Sequence, residues 1–121
     1  MKDEWTEATL ELKRRTRAFV LRAVGACYAL PRTAEAEALG KPLERSLKVV
    51  VLHFREAIRA RSAAEFVNKI EASLQALQEF STGTEQLAEA GILPIRKLAD
   101  LKQQSGELAA TLGNLLTACP N

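Results

Sequence analysis

Arg45, Lys48, Arg55 and Arg59 are spaced by three, seven and four residues, intervals that stack side chains on one face of a helix. Leu52 fills the gap in that line, and Arg61 follows just beyond it. Such a stripe can meet phosphates, and arginine adds a forked, bidentate donor to the simple charge. An earlier segment carries Lys13, Arg14, Arg15, Arg17 and Arg22 on the arc away from its apolar face, which would widen the cationic surface. The plainer reading is a solvated helix face, since exposed helices commonly carry Lys and Arg. Trp5, Phe19, Tyr28, Phe54, Phe66 and Phe80 fall mostly on core stripes, so base stacking along a single strand is not expected. Phosphate or shape recognition is the expected mode.

Other chemistry finds little material. His53 is the single histidine and has Val49 and Ala57 four residues to either side, so a packed or hydrogen-bonded histidine is expected rather than a ligand. Glu56 and Glu79 are lone carboxylates without the Glu-x-x-His companion of a di-iron bundle, and pairing with arginine across the bundle, or capping a polar contact, is their expected role. Cys27 and Cys119 form no Cys-x-x-Cys pair, and no Gly-rich phosphate loop or nucleophile elbow occurs. The expectation is a protein with no metal, no cofactor and no catalytic residues.

These side chains need helices to position them, and the apolar period supplies four. The first runs from about Asp3, a candidate cap, to Ala29, with Trp5, Leu12, Thr16, Phe19, Val20, Ala23, Val24 and Cys27 on one face. Leu30-Pro31 ends it. The second is secure from Pro42 to Ala60, its stripe being Leu43, Leu47, Val50, Val51, Phe54 and Ile58, and the Ala-Glu repeats of residues 32–41 can extend it backwards. Ser62-Ala63-Ala64-Glu65 is a capping box that opens the third. Its inward face reads Phe66, Ile70, Leu74, Leu77, Ser81, Thr84 and Leu87 or Ala88, and Gly91 suits a left-handed cap. Ile92-Leu93-Pro94 opens the fourth, whose stripe is Leu98, Leu101, Ser105, Leu108, Leu112 and Leu115, with Pro120 closing it. Four amphipathic helices on short connections predict an all-α, antiparallel up-down-up-down bundle over residues 1–121 as a single domain. Cys27 and Cys119 then fall at opposite ends of the bundle, too far apart to pair within one chain.

Composition agrees. The 121 residues are 47% hydrophobic and 5% aromatic, enough for one packed core and unsuited to an all-β domain. The net charge of +2 conceals an asymmetry: residues 1–61 hold 13 Lys and Arg against 8 Asp and Glu, whereas residues 62–121 hold 4 against 7. The basic half points to an anionic partner. No apolar run approaches the roughly 20 residues of a membrane span, and the acidic start lacks the apolar core of a secretory signal, so a cytoplasmic location is expected. Val49, Leu52 and Phe80 are apolar yet lie off the stripes assigned above, which suggests an oligomer or partner interface.

With these residues in place, the chain resembles the small bacterial four-helix-bundle proteins called S23, encoded within intervening sequences of 23S rRNA genes. That superfamily also contains the accessory variability determinant proteins of diversity-generating retroelements. Leu43, Arg45, Glu56, the Arg61-Ser62-x-x-Glu65-Phe66 run and Glu79 match the intervening-sequence pattern without a gap. Leu30-Pro31-Arg32 and Leu39-Gly40-x-x-Leu43 look more like the retroelement branch, and Gly91 with Leu112-Gly113-x-Leu115-Leu116 fits either. Pro42 stands where the first branch usually has glutamine, His53 where it has asparagine, and Gln75-Ala76 replaces a small Gly-Ser type pair.

The resemblance implies a homopentamer with a positively charged surface. For the retroelement branch it also implies binding of nucleic acid and of a reverse transcriptase, with no activity of its own. The expected function is therefore a non-enzymatic oligomeric accessory protein that binds RNA or DNA. Its expected contacts are Lys13, Arg14, Arg17, Arg22, Arg45, Lys48, Arg55, Arg59 and Arg61. A protein–protein adaptor without direct nucleic-acid binding is the alternative.

Overall fold

The computed structural model describes residues 2–118, without the side chains of residues 2–6, 8 and 118. Asp3, Trp5, Cys119 and Pro120, to which roles were assigned above, lie outside the side chains described. Four helices account for nearly all of the chain: α1 (Lys2–Tyr28), α2 (Ala34–Ile58), α3 (Ala63–Glu89) and α4 (Ile95–Ala118). Each packs on its sequence neighbours and α4 returns to α1, giving the cyclic order of an up-down-up-down bundle. Leu12, Phe19 and Ala23 of α1 meet Leu47, Val50 and Phe54 of α2, Ile70, Leu77 and Phe80 of α3, and Leu101, Leu108 and Leu112 of α4 in one continuous core.

Local chemistry sets the ends of these helices. Ser62 Oγ accepts from Glu65 N at 3.1 Å, while Glu65 Oε2 accepts from Arg61 N at 3.2 Å, so the predicted capping box forms with its return bond one residue early. Gly91 takes φ +74, and Ile92 N donates to Leu87 O while Gly91 N donates to Ala88 O, the pair of bonds that closes a helix through a left-handed residue. The second helix starts earlier than Pro42. Thr33 Oγ1 caps it by accepting from Ala36 N at 3.1 Å, with Glu35 and Glu37 in its positive first turn. Pro42 thus sits inside α2, where both it and Ala38, whose carbonyl loses a donor, are exposed. The fourth helix begins at Ile95, just after Pro94.

Two stripes shift. The buried line of α3 is Ile70, Ser73, Leu77, Phe80, Thr84 and Leu87, alternating steps of three and four, with Ala76 beside it. Phe80, assigned above to an exposed interface, is only 1% exposed and packs edge to face on Phe19. It belongs to the core. Ile70, Leu77, Thr84 and Leu87 lie on the expected face, but the polar Ser73 takes the buried place expected of Leu74, and Phe80 that expected of Ser81. Ser73 is fully buried because its Oγ donates to Val50 O of α2 at 3.1 Å. On α2, Ile58 is 39% exposed rather than inward, and Ala57 takes the core position in the last turn.

Candidate nucleic-acid interface

All nine predicted contact residues are exposed: Lys13, Arg14, Arg17 and Arg22 on α1, Arg45, Lys48 and Arg55 on α2, and Arg59 and Arg61 at the α2–α3 junction. They do not form one face. Arg14 pairs with Glu11 at 2.9 Å within α1. Arg22 reaches Asp100 of α4 at 3.7 Å, and Arg15 likewise donates to Thr111 of α4, so this side of α1 turns towards the acidic half of the chain. Lys13 and Arg17 lie on the other flank, towards α2.

The α2 stripe also divides. Lys48 and Arg55 edge the groove between α1 and α2, together with Val20, Val24 and Cys27. Arg45 instead edges the groove between α2 and α3, near Val49, Gln78 and Glu79. Leu52 projects between them, 55% exposed and opposite the core. The α1/α2 groove sets Val20 and Val24 beside Leu47 and Val51 in antiparallel register. Continued at about 1.5 Å per residue, that register takes Arg17 to the level of Arg55 and Lys13 to that of Arg59. Lys13, Arg17, Arg45, Lys48, Arg55, Arg59 and Arg61 form no side-chain ion pair with any described residue, while Arg14, Arg22, Lys69 and Lys102 do. Most of the free cations therefore collect around α2, its α1 flank and its C-terminal junction, with Arg96 and Lys97 of α4 and Arg32 unpaired elsewhere. Arg61 spends its backbone N–H on the capping box and leaves its guanidinium exposed.

The titratable residues fall elsewhere. His53 Nδ1 lies 3.2 Å from Glu56 Oε1, close enough for a charge contact when protonated but at an angle that leaves Nδ1 without a hydrogen bond. Glu56 Oε2 lies 3.1 Å from Lys69 Nζ of α3. Hydrogen bonding to that ammonium holds the Glu56 carboxyl below the usual carboxylate range, and His53 adds in the same direction. Glu56 therefore ties α2 to α3 through lysine, where arginine pairing was expected. Among the described residues there is no cluster of His, Cys, Asp and Glu that could hold a metal ion. No described helix is long and apolar enough to cross a membrane.

Sequence phasing passed over the outward apolar residues of α1. Leu21 is 65% and Tyr28 86% exposed, on the face opposite Phe19. Leu10, Leu21 and Tyr28 are spaced by eleven and seven residues, steps that return to one helical face, and that was the available signal.

No family model matches the chain, and no curated protein is detectably similar to it. Among solved structures, it superimposes on a protein of unknown function from the S23 ribosomal protein family of Bacteroides thetaiotaomicron. The TM-score is 0.85 with 22% sequence identity, over 92% of this chain and 99% of that one. The fold is that of an S23-family protein. This S23-type bundle is the architecture that the resemblance implied, and the match extends over almost the full length of both chains.

Proposed function

We propose that the chain is a non-enzymatic accessory protein that binds RNA or DNA through Lys13, Arg17, Arg45, Lys48, Arg55, Arg59 and Arg61. Arg14 and Arg22 contribute at the edges once their exposed ion pairs open. One observation carries the reading: the exposed cations Arg45, Lys48, Arg55, Arg59 and Arg61 lack ion-pair partners among the described residues, while Asp100 of α4 and Glu85 of α3 engage Arg22 and Lys102 at other faces. Unpaired arginines on a rigid helix are ready to replace the counterions of a phosphate backbone. Tyr28 is the one strongly exposed aromatic beside this stripe, and a single ring gives no run of stacking platforms, which favours recognition of backbone or shape. The S23-type fold supports an RNA or DNA partner by resemblance, as it does a homo-oligomer of five chains and partnership with a retroelement reverse transcriptase.

The deciding measurement is binding of a labelled RNA duplex and a DNA duplex as salt is varied. Log affinity is expected to fall with log salt, with a slope of about −0.7 to −0.9 per phosphate contacted. An Arg45/Lys48/Arg55/Arg59→Ala variant that stays folded should bind more weakly and with a shallower slope. Unchanged binding would overturn the site. Light scattering tests the assembly, for which a particle of five chains is expected.

A second reading, a protein–protein adaptor, is favoured by Leu21, Tyr28 and Leu52, whose apolar surface no phosphate backbone would cover. A complex that survives nuclease treatment would select it.

A further inference from the structure

We propose that the groove between α1 and α2 docks an acidic amphipathic helix of a partner protein. The inference deepens the partner half of the reading above and does not depend on its nucleic-acid half. The groove has a volume of about 410 Å³ and an apolar floor of Val20, Val24, Leu47 and Val51, with Leu52 standing on its outer edge. Leu21 and Tyr28 extend the apolar surface over the outside of α1. A strip of this kind, flanked by two parallel ridges, takes the apolar face of a helix, whose anchors recur at three-, four- and seven-residue steps.

Charge identifies the occupant. Lys48 and Arg55 stand on one edge two helical turns apart, and neither pairs with any described residue. Acidic residues seven apart on a docked helix would meet both. Glu44 lies at the opposite end beside Cys27 and Tyr28, so the carboxylates of the occupant belong at the Arg55 end and a neutral or basic residue at the Glu44 end. The groove therefore also selects the direction of the helix.

A second copy of this chain fits poorly. The outward faces of α3 and α4 present Glu71, Gln75, Gln78, Lys97, Gln103 and Asn114, and Ile95 is their one exposed large apolar residue among those described, so they offer no apolar ridge to fill the groove. Packing the α1/α2 face on its own copy would bring Lys13, Arg17, Lys48 and Arg55 against the same set of cations, and such like-charge contacts are unfavourable. Nucleic acid satisfies Lys48 and Arg55 but leaves the apolar floor wet. A foreign helix with acidic flanks satisfies both.

The test uses the full chain and a fluorescent, helix-stapled peptide of about eighteen residues. It carries leucines at helical spacing and flanking glutamates, and a second version has every glutamate replaced by lysine. The glutamate peptide is expected to bind saturably and about tenfold or more tighter than the lysine peptide. Leu52→Asn, exposed and neutral, should weaken it by about tenfold while leaving duplex RNA binding unchanged. Lys48→Glu with Arg55→Glu should reverse the peptide preference. Failure of the glutamate peptide to bind, or equal binding of both peptides, would overturn the inference, and duplex binding measured alongside shows whether the nucleic-acid reading still stands. A change of oligomeric state in Leu52→Asn would also overturn it, by showing that the groove is filled by another copy.

Discussion

The rings of Phe19 and Phe80 meet edge to face across the diagonal of the bundle, centroids 5.5 Å apart at 84°. The backbones of α1 and α3 do not themselves pack together, so this pair is where opposite corners of the bundle join. Its position predicts an ordering of mutational effects. Phe80→Ala leaves a ring-sized cavity in a fully enclosed site and should cost about 3–5 kcal/mol. Leu52→Ser, on the surface, should stay within about 0.5 kcal/mol. Urea denaturation of the two variants gives the comparison directly, and a Phe80→Ala protein as stable as the wild type would remove Phe80 from the core.

Why Phe80 was misread, while the bundle was not, is a matter of which signals carry phase. Helix number and direction follow from Leu30-Pro31, the Ser62–Glu65 box and Gly91, each of which acts through bonds within a few residues. Phase depends on contacts with other helices. Ser73 looks solvent-facing until Val50 O is found to accept its hydroxyl, and that carbonyl lies on a different helix. The basic stripe shows the same limit. Spacing placed Arg45, Lys48 and Arg55 on one outward arc, but the direction in which each leans depends on where α1 and α3 sit. The grooves divide them accordingly, and Arg22 turns to Asp100 on α4, a pairing that no local pattern announces.

Gly83 and Gly106 should respond oppositely to alanine. A Cβ at position 83 would stand 2.7 Å from Leu43 Cδ2 and 3.1 Å from Leu43 Cγ, and Leu43 is a core residue only 2% exposed. Alanine gains about 1 kcal/mol of helix propensity but forces overpacking that costs about 1–3 kcal/mol, so Gly83→Ala is expected to be destabilising. Gly106 is exposed within α4, and its added Cβ would meet nothing within 4 Å. There alanine should gain about 0.5–1 kcal/mol. Thermal midpoints moving in the same direction for both variants would contradict the close approach of α2 to α3.

The Glu56–Lys69 tie gives stability an acid limb. Because the folded carboxyl titrates below its ordinary value of 4.5, its contribution is complete above about that pH and is lost as pH falls through the lower folded value. Glu56→Gln should therefore be less stable than the wild type at neutral pH, and the gap should close under acid conditions. Denaturation midpoints collected over that range test it. A gap that persists unchanged well below the carboxylate range would mean that packing, rather than the ion pair with Lys69, carries the effect of residue 56.

Cys27 offers a pH reading of the α1/α2 groove from the alkaline side. Burial, with the Glu44 carboxylate nearby, pushes its thiol up to about 11 from the ordinary 9.0. Only the thiolate attacks an alkylating reagent, so two pH units of displacement predict a reaction about a hundredfold slower than that of an unperturbed thiol near pH 8. In a Cys119→Ser protein, leaving one cysteine, the iodoacetamide rate should keep rising about tenfold per pH unit past the point where a free thiol levels off. Simple steric shielding would slow the reaction but would leave that inflection near 9. Glu44→Gln should move the inflection down by removing the repulsive charge while leaving the burial in place. An inflection near 9 in the folded protein would show that Cys27 is wetter than its place among Val24, Leu47 and Val51 dictates, and that the groove floor is open to water.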